Sequence, residues 1–187
     1  MKLQIGQRLP FKRRLTKKTN YPARLALLKS GMPRVVVRRG NDNIRIQLVS
    51  YERAGDKTIV EELSRNIKKF GWNGHCGSLP AAYLVGMLFG KKAVKAGIES
   101  AVLDLGLQKS THGSALYAAV KGMVDAGLNV PVGEEAFPSE ERIRGDHIAK
   151  FAKAAKSADY KHQFKRHESE NIVKNFNEVK SKIEKSE

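Results

Sequence analysis

The sequence predicts an α/β chain: a mixed sheet with packed helices, a basic extended N-terminal arm and a helical C-terminal extension. Three observations predict it. Residues 34–39 (RVVVRR) and 44–50 (IRIQLVS) read as strands joined by the turn-forming link Gly40-Asn41-Asp42-Asn43. Residues 78–132 run helix, strand, loop, helix, strand, the order from which α/β layers are built. The first 41 residues hold twelve Lys or Arg and no acid. We therefore expect a basic arm over 1–20, an α/β body over 21–130, and a loop with a helical extension over 131–187.

Taken in order, residues 1–20 are expected to be extended, because self-repulsion is large and apolar content small. Residues 21–30 (YPARLALLKS) predict a helix with Pro22 in its first turn, Leu25 and Leu28 on its apolar side, and Gly31 and Pro33 ending it. In the second strand of the hairpin, Ile44, Ile46 and Leu48 share one face while Arg45 and Gln47 take the other. A short third strand is expected around Thr58, Ile59 and Val60, then a helix from Glu61 to Phe70 with Leu63 and Ile67 inward. The glycines of residues 71–77 break regular structure.

Ser78 and Pro80 open a long helix to about Ala96, in which Leu84, Val85 and Leu88 suit burial and Gly86 and Gly90 allow close backbone approach. Ile98 to Leu105 reads as a buried strand, and residues 106–113 as a loop. A second long helix covers Ser114 to Ala126 with Leu116, Ala119, Val120, Met123 and Val124 inward, followed by a short strand over Leu128 to Val132. Residues 131–147 are turn-rich, and a helix is expected from Asp146 to about Ser157. A last helix spans Ser169 to Lys185, where Ile172, Phe176, Val179 and Ile183 form a stripe that must cover either the chain's own body or a partner.

The net charge is +16 over 187 residues, and three quarters of it lies in the first fifth. Such an arm suits polyphosphate, because each neutralised phosphate releases counterions. Arg8, Phe11, Arg13, Arg14 and Tyr21 add side chains that fork onto phosphates or stack on unpaired bases, and Lys12, Lys17 and Lys18 add point charges. Composition alone leaves DNA and RNA both open. In the hairpin, Arg34, Arg38, Arg39, Arg45 and Gln47 put a mostly cationic set on or beside one side of a two-strand unit, which suits a nucleic-acid backbone.

Other constellations are weaker. The start of the second long helix, with Lys109, Thr111 and His112, suits an anion through free backbone N–H groups, although ordinary capping explains it equally. Cys76 beside His75 is no nucleophile–base pair by adjacency alone, and a single cysteine excludes an internal disulfide. The histidines have no ligand spacing, so no metal and no cofactor is expected. Glu134, Glu135, Glu140 and Glu141 read as solvated surface beside Arg142 and Arg144. No signal-peptide pattern is read near Lys2, Arg8 and Lys12, and the longest apolar run, Ala81 to Phe89, falls short of the roughly 20 residues a membrane helix needs. A cytoplasmic chain with no membrane partner is expected. The competing classes are a basic enzyme acting on RNA and a general DNA-binding protein.

The strings PFKRRLTKKTNYPARLALLKSGMPRVVVRRGNDNIRIQLV, AAYLVGMLFGKKAVKAGI, AVLDLG and HGSALYAAVKGMVDAGLNVP together resemble the universal L18 family of large-subunit ribosomal proteins, called L5 in eukaryotes, in its archaeal form. The resemblance covers about residues 8–157. It implies a compact α/β sandwich and a structural, non-catalytic role: binding 5S rRNA and holding it against 23S rRNA in the central protuberance, near ribosomal protein L5 in bacterial naming. The family's arm motif falls on Phe11, Arg13, Arg14, Thr19, Tyr21, Arg24 and Leu28. Its strand pattern falls on Pro33, Arg34 and Arg38, with Asn43 and Gln47 following, and its helix entry on His112 and Gly113. Bacterial members carry Asp-Arg-Gly after the central strand where this chain has Asp104-Leu105-Gly106, so that arginine's role does not transfer. The stretch FPSEERIRGDHI, residues 137–148, resembles the archaeal and eukaryotic extension.

Overall fold

The computed structural model describes residues 10–154 and 171–186. Among these, the chain forms one four-stranded mixed sheet, covered on one face by helices. Strand β1 (Arg34–Arg39) pairs antiparallel with β2 (Ile44–Ser50), which pairs antiparallel with β3 (Lys57–Leu63). Strand β4 (Val102–Asp104) returns parallel to β1, giving the order β3-β2-β1-β4. The predicted hairpin is present in register Val36↔Gln47 and Arg38↔Arg45, and Gly40 N–H closes its link on the Asn43 carbonyl at 2.8 Å. Alternation does the sorting: Val35, Val37, Ile44, Ile46 and Leu48 are fully buried on the helical side.

Helices α1 (Lys12–Leu15) and α2 (Tyr21–Leu28) precede the sheet. Asn20 caps α2 through its side-chain oxygen, which accepts from Ala23 N–H at 3.2 Å. Helix α3 (Leu79–Lys95) starts on a Ser78 cap and crosses the sheet beside α4 (Ala115–Asp125). The two helices touch backbone to backbone. A Cβ on Gly86 would stand 2.0 Å from the Ala119 carbonyl oxygen, and one on Gly122 2.2 Å from that of Tyr83. The short helices α5 (Glu140–Arg144) and α6 (Asp146–Ala154) follow, and α7 (Ile172–Lys185) completes the core.

Helix α7 answers the question its stripe posed. Ile172, Phe176, Val179 and Ile183 are all buried in the same core as α3, with the Phe176 and Tyr83 rings 5.7 Å apart. Polar ties reinforce it. Lys91 Nζ donates to the carbonyls of Ile183, Glu184 and Ser186 at 2.8, 2.6 and 3.1 Å, a cation set on the negative end of the helix. The Asn175 amide donates to the Gly71 carbonyl and accepts from Asn73 N–H. Substituting Lys91→Met is expected to cost about 2 kcal/mol, since it removes the cation from a helix end and takes a donor from three carbonyls, of which that of Ile183 alone keeps Ser186. A lowered urea midpoint and faster amide exchange across 172–185 would report it, and an unchanged midpoint would show that the clamp contributes nothing.

Several elements differ from expectation. The arm is not extended throughout: Lys12–Leu15 makes one helical turn, ended by Lys17 in the left-handed region at φ 52°. Helix α2 buries nothing, and Leu25 is 57% exposed. The expected helix from Glu61 is strand as far as Leu63, because the free edge of β2 pairs with Glu61, Glu62 and Leu63. Only Ser64–Phe70 coils, as a 3₁₀ helix with Ile67 buried. Strand β4 is three residues long, and the strand expected at 128–132 reduces to one bridge, Ser100 to Asn129. Val124 faces outward at 36% exposure.

Candidate nucleic-acid interface

The sheet face away from α3 and α4 carries the alternate residues: Arg34, Val36 and Arg38 on β1, Arg45, Gln47 and Val49 on β2, and Asp104 on β4. The arginines here do not stand free. Arg34, only 2% exposed, donates from Nη1 to Asp104 at 2.8 Å and from Nη2 to Asp56 at 2.7 Å. Asp56 also takes both Nη groups of Arg24, at 2.8 and 2.7 Å. Arg38 reaches the other Asp104 oxygen at 2.9 Å and the carbonyls of Asp104 and Val37. The result is an alternating chain, Arg24–Asp56–Arg34–Asp104–Arg38, that ties α2, the β2–β3 turn, β1 and β4 together. The Arg24 hydrogen bonds, aided by Arg34, hold the Asp56 carboxyl below the usual carboxylate range against the opposing effect of burial. The same contact raises the Arg24 guanidinium further.

Three arginines against two aspartates leave this chain cationic, but its inner member serves the fold. Arg34 is drawn inward, and Arg45 and Gln47 both meet Glu61, at 3.3 and 3.0 Å. Arg39 ends β1 exposed, its backbone gripped by the Gln108 side chain on both N–H and carbonyl. Asn43 sits in the hairpin link, where its carbonyl closes the turn.

The described part of the arm lies alongside. Arg13 Nε donates to Thr19 Oγ1 at 2.8 Å, and Phe11, 72% exposed, leans on Tyr21 with ring centroids 5.3 Å apart. Lys12, Arg14, Lys17 and Lys18 are exposed. Arg8 lies outside the described residues, as do His162 and His167. The structure brings Arg13, Lys18, Tyr21, Arg24, Arg34 and Arg38 around one groove between α2 and the sheet. Lys109, Thr111 and His112 are exposed on the neighbouring loop. His112 packs edge-on against Tyr117 and faces a separate hollow shared with Glu134 and Glu135. The acids there make it a poorer phosphate seat than the helix entry alone suggests.

The remaining candidates are inert or structural. Cys76 is buried, which pushes its thiol pKa up and away from the reactive thiolate. His75 Nδ1 accepts from Gly77 N–H at 3.1 Å. Arg144 pairs with Glu140 one helical turn away. Among the described residues no three His, Cys, Asp or Glu side chains gather as a metal site. No described helix is long and apolar enough to cross a membrane. Sequence reasoning missed Asp56, Asp104 and Gln108 as organisers of this face. One signal was available for Asp104, since an acid ending an apolar strand run needs a cation to meet it.

The family model described as ribosomal large subunit proteins 60S L5, and 50S L18 matches residues 7–100 and 95–133. The chain belongs to this family. Every residue lining the groove, and each member of the Arg–Asp chain, falls within the matched stretches. In this large-subunit ribosomal protein the groove lies within the matched family body, whereas α5, α6 and α7 lie beyond residue 133.

Proposed function

We propose that this chain is a non-catalytic constituent of the large ribosomal subunit that binds 5S rRNA. In this reading it helps attach that RNA to 23S rRNA in the central protuberance, close to ribosomal protein L5 in bacterial naming. It works on cytoplasmic ribosomes of the archaeal type. One observation supports this most: exposed cations of an arm without an acid border one groove with the open sheet face, next to Phe11 and the half-buried Tyr21, and arginines outnumber aspartates in its lining. Arm cations neutralise backbone phosphates, while Phe11 and Tyr21 offer faces to unpaired bases. Arg34 and its two aspartates hold Arg24 and Arg38 in place, so the body offers a preformed surface and only the arm is ordered on binding.

Arg13→Ala/Arg14→Ala is the direct test. Loss of two phosphate contacts is expected to weaken 5S rRNA binding about tenfold near physiological salt and to flatten the log K against log salt slope by roughly 1.5. Filter binding across a salt series reads both. Unchanged affinity and slope would remove the arm from the interface, and equal affinity for duplex DNA would favour a general DNA-binding protein instead.

A further inference from the structure

Helix α2 does not close on the sheet beneath it. It contributes no buried residue, and Ala23 and Ala26 are exposed although both line the groove. That groove measures about 1070 Å³, as large as the largest small-molecule sites, roughly 1,000 Å³. A helix against a sheet ordinarily interdigitates to crystal-like density, and α2 does not. The interior is mixed: Ala26 and Leu27 face it from the helix, Val36 and Val49 alternate with Arg34, Arg38 and Gln47 on the sheet, and Asp56 and Asp104 line it with their arginines. The border is cationic: Arg13 and Lys18 line it, and neither meets a carboxylate among the described residues.

One further feature points to a ligand. The Arg38 guanidinium is immobilised by three acceptor atoms and lies against Gly106, where a Cβ would stand 2.7 Å from Nη2 and 2.8 Å from Cζ. A guanidinium spent at its edge still offers a flat face for stacking. Apolar patches from Ala26 and Val36, a fixed planar cation and a phosphate-seeking border match one chemistry, a nucleotide whose base is out of the stack. A duplex does not fit, because its bases are paired inside it.

We infer that the groove between α2 and the open sheet face receives one unpaired nucleotide of the bound RNA, its base lodged between Ala26 and Val36 and its phosphates at Arg13 and Lys18. This rests on the RNA-binding reading above and adds to it a seat for a single base.

The test is Ala26→Trp, which fills the groove from a helix that buries nothing, with Ala23→Phe as a second filling variant; unchanged circular dichroism and urea midpoints verify folding. Affinity for isolated 5S rRNA is expected to fall at least about tenfold, with the salt slope kept, because the phosphate contacts remain. Unpaired bases shielded from base-specific chemical modification in the wild-type complex should become reactive again. Wild-type affinity with unchanged shielding in both variants would overturn the inference. So would a slope that falls together with affinity, since α2 would then be a backbone contact. A wild-type chain with no preference for 5S rRNA over duplex DNA would overturn this inference and the reading beneath it, and that result is seen before any substitution is made.

Discussion

Gly86→Ala is expected to destabilise the chain by about 3 kcal/mol or more, beyond the usual 1–3 kcal/mol of core overpacking. The added methyl would stand 2.0 Å from the Ala119 carbonyl oxygen and 2.8 Å from its carbon. These are backbone atoms of α4, so no rotamer change relieves the clash and the helices must separate. Gly122→Ala tests the same seam from the other side, where the Tyr83 carbonyl oxygen lies 2.2 Å away. Separation would open voids around Leu84, Val120 and Met123, all fully buried. Gly133→Ala is the control, since nothing lies within 4 Å of its added carbon and its φ is −66°. Urea midpoints decide the matter: an unshifted midpoint for Gly86→Ala would mean the seam has slack that the structure does not show.

The second large effect belongs to Arg34→Met, expected to cost about 3–5 kcal/mol, the range for breaking a buried ion pair from one side. Asp104, with its side chain 10% exposed, would keep the partly exposed Arg38 as its cation beside the Gly106 N–H, and Asp56 would keep Arg24. Lysine should not rescue, because a point charge cannot serve two carboxylates on opposite sides as a guanidinium does. The cost depends on pH with a definite sign. Asp56 is depressed in the folded state, so its contribution is present above the unfolded carboxylate value and is lost as pH falls through the folded one. Arg24, the larger cause of that depression, stays in the variant, so only the part that Arg34 supplies is at stake and the gap between wild type and Arg34→Met should narrow modestly in acid. A gap of the same size at pH 3 and pH 7 would mean that lost packing, not charge, is what the substitution removes.

Where local rules decided the outcome, the sequence could be read. The hairpin followed from alternating Val35, Val37, Ile44, Ile46 and Leu48, each fully buried. Helix α3 followed from Ser78 and Pro80 at its start, and a close backbone approach from Gly86 and Gly90, though not which element would make it. Where distant partners decided, it could not. Alternation places Arg34 beside Arg38 on one face, yet Asp104, 70 residues on, turns Arg34 into a structural cation. The length of β3 depends on how far β2 offers a free edge. Helical periodicity in residues 21–28 predicts α2 but says nothing about what covers Leu25. The groove was illegible for the same reason, being the space left between a helix and a sheet joined mainly through Arg24 and Asp56.

The seating of α7 on α3 bears on how the chain is made. About 90 residues separate Lys95 from Lys185, so at roughly 5–20 residues per second the first helix waits about 5–18 s for its cover during synthesis. Through that interval Tyr83 is without Phe176, and Lys91 has no helix end to hold. The apolar face that α7 covers is therefore completed only late in synthesis.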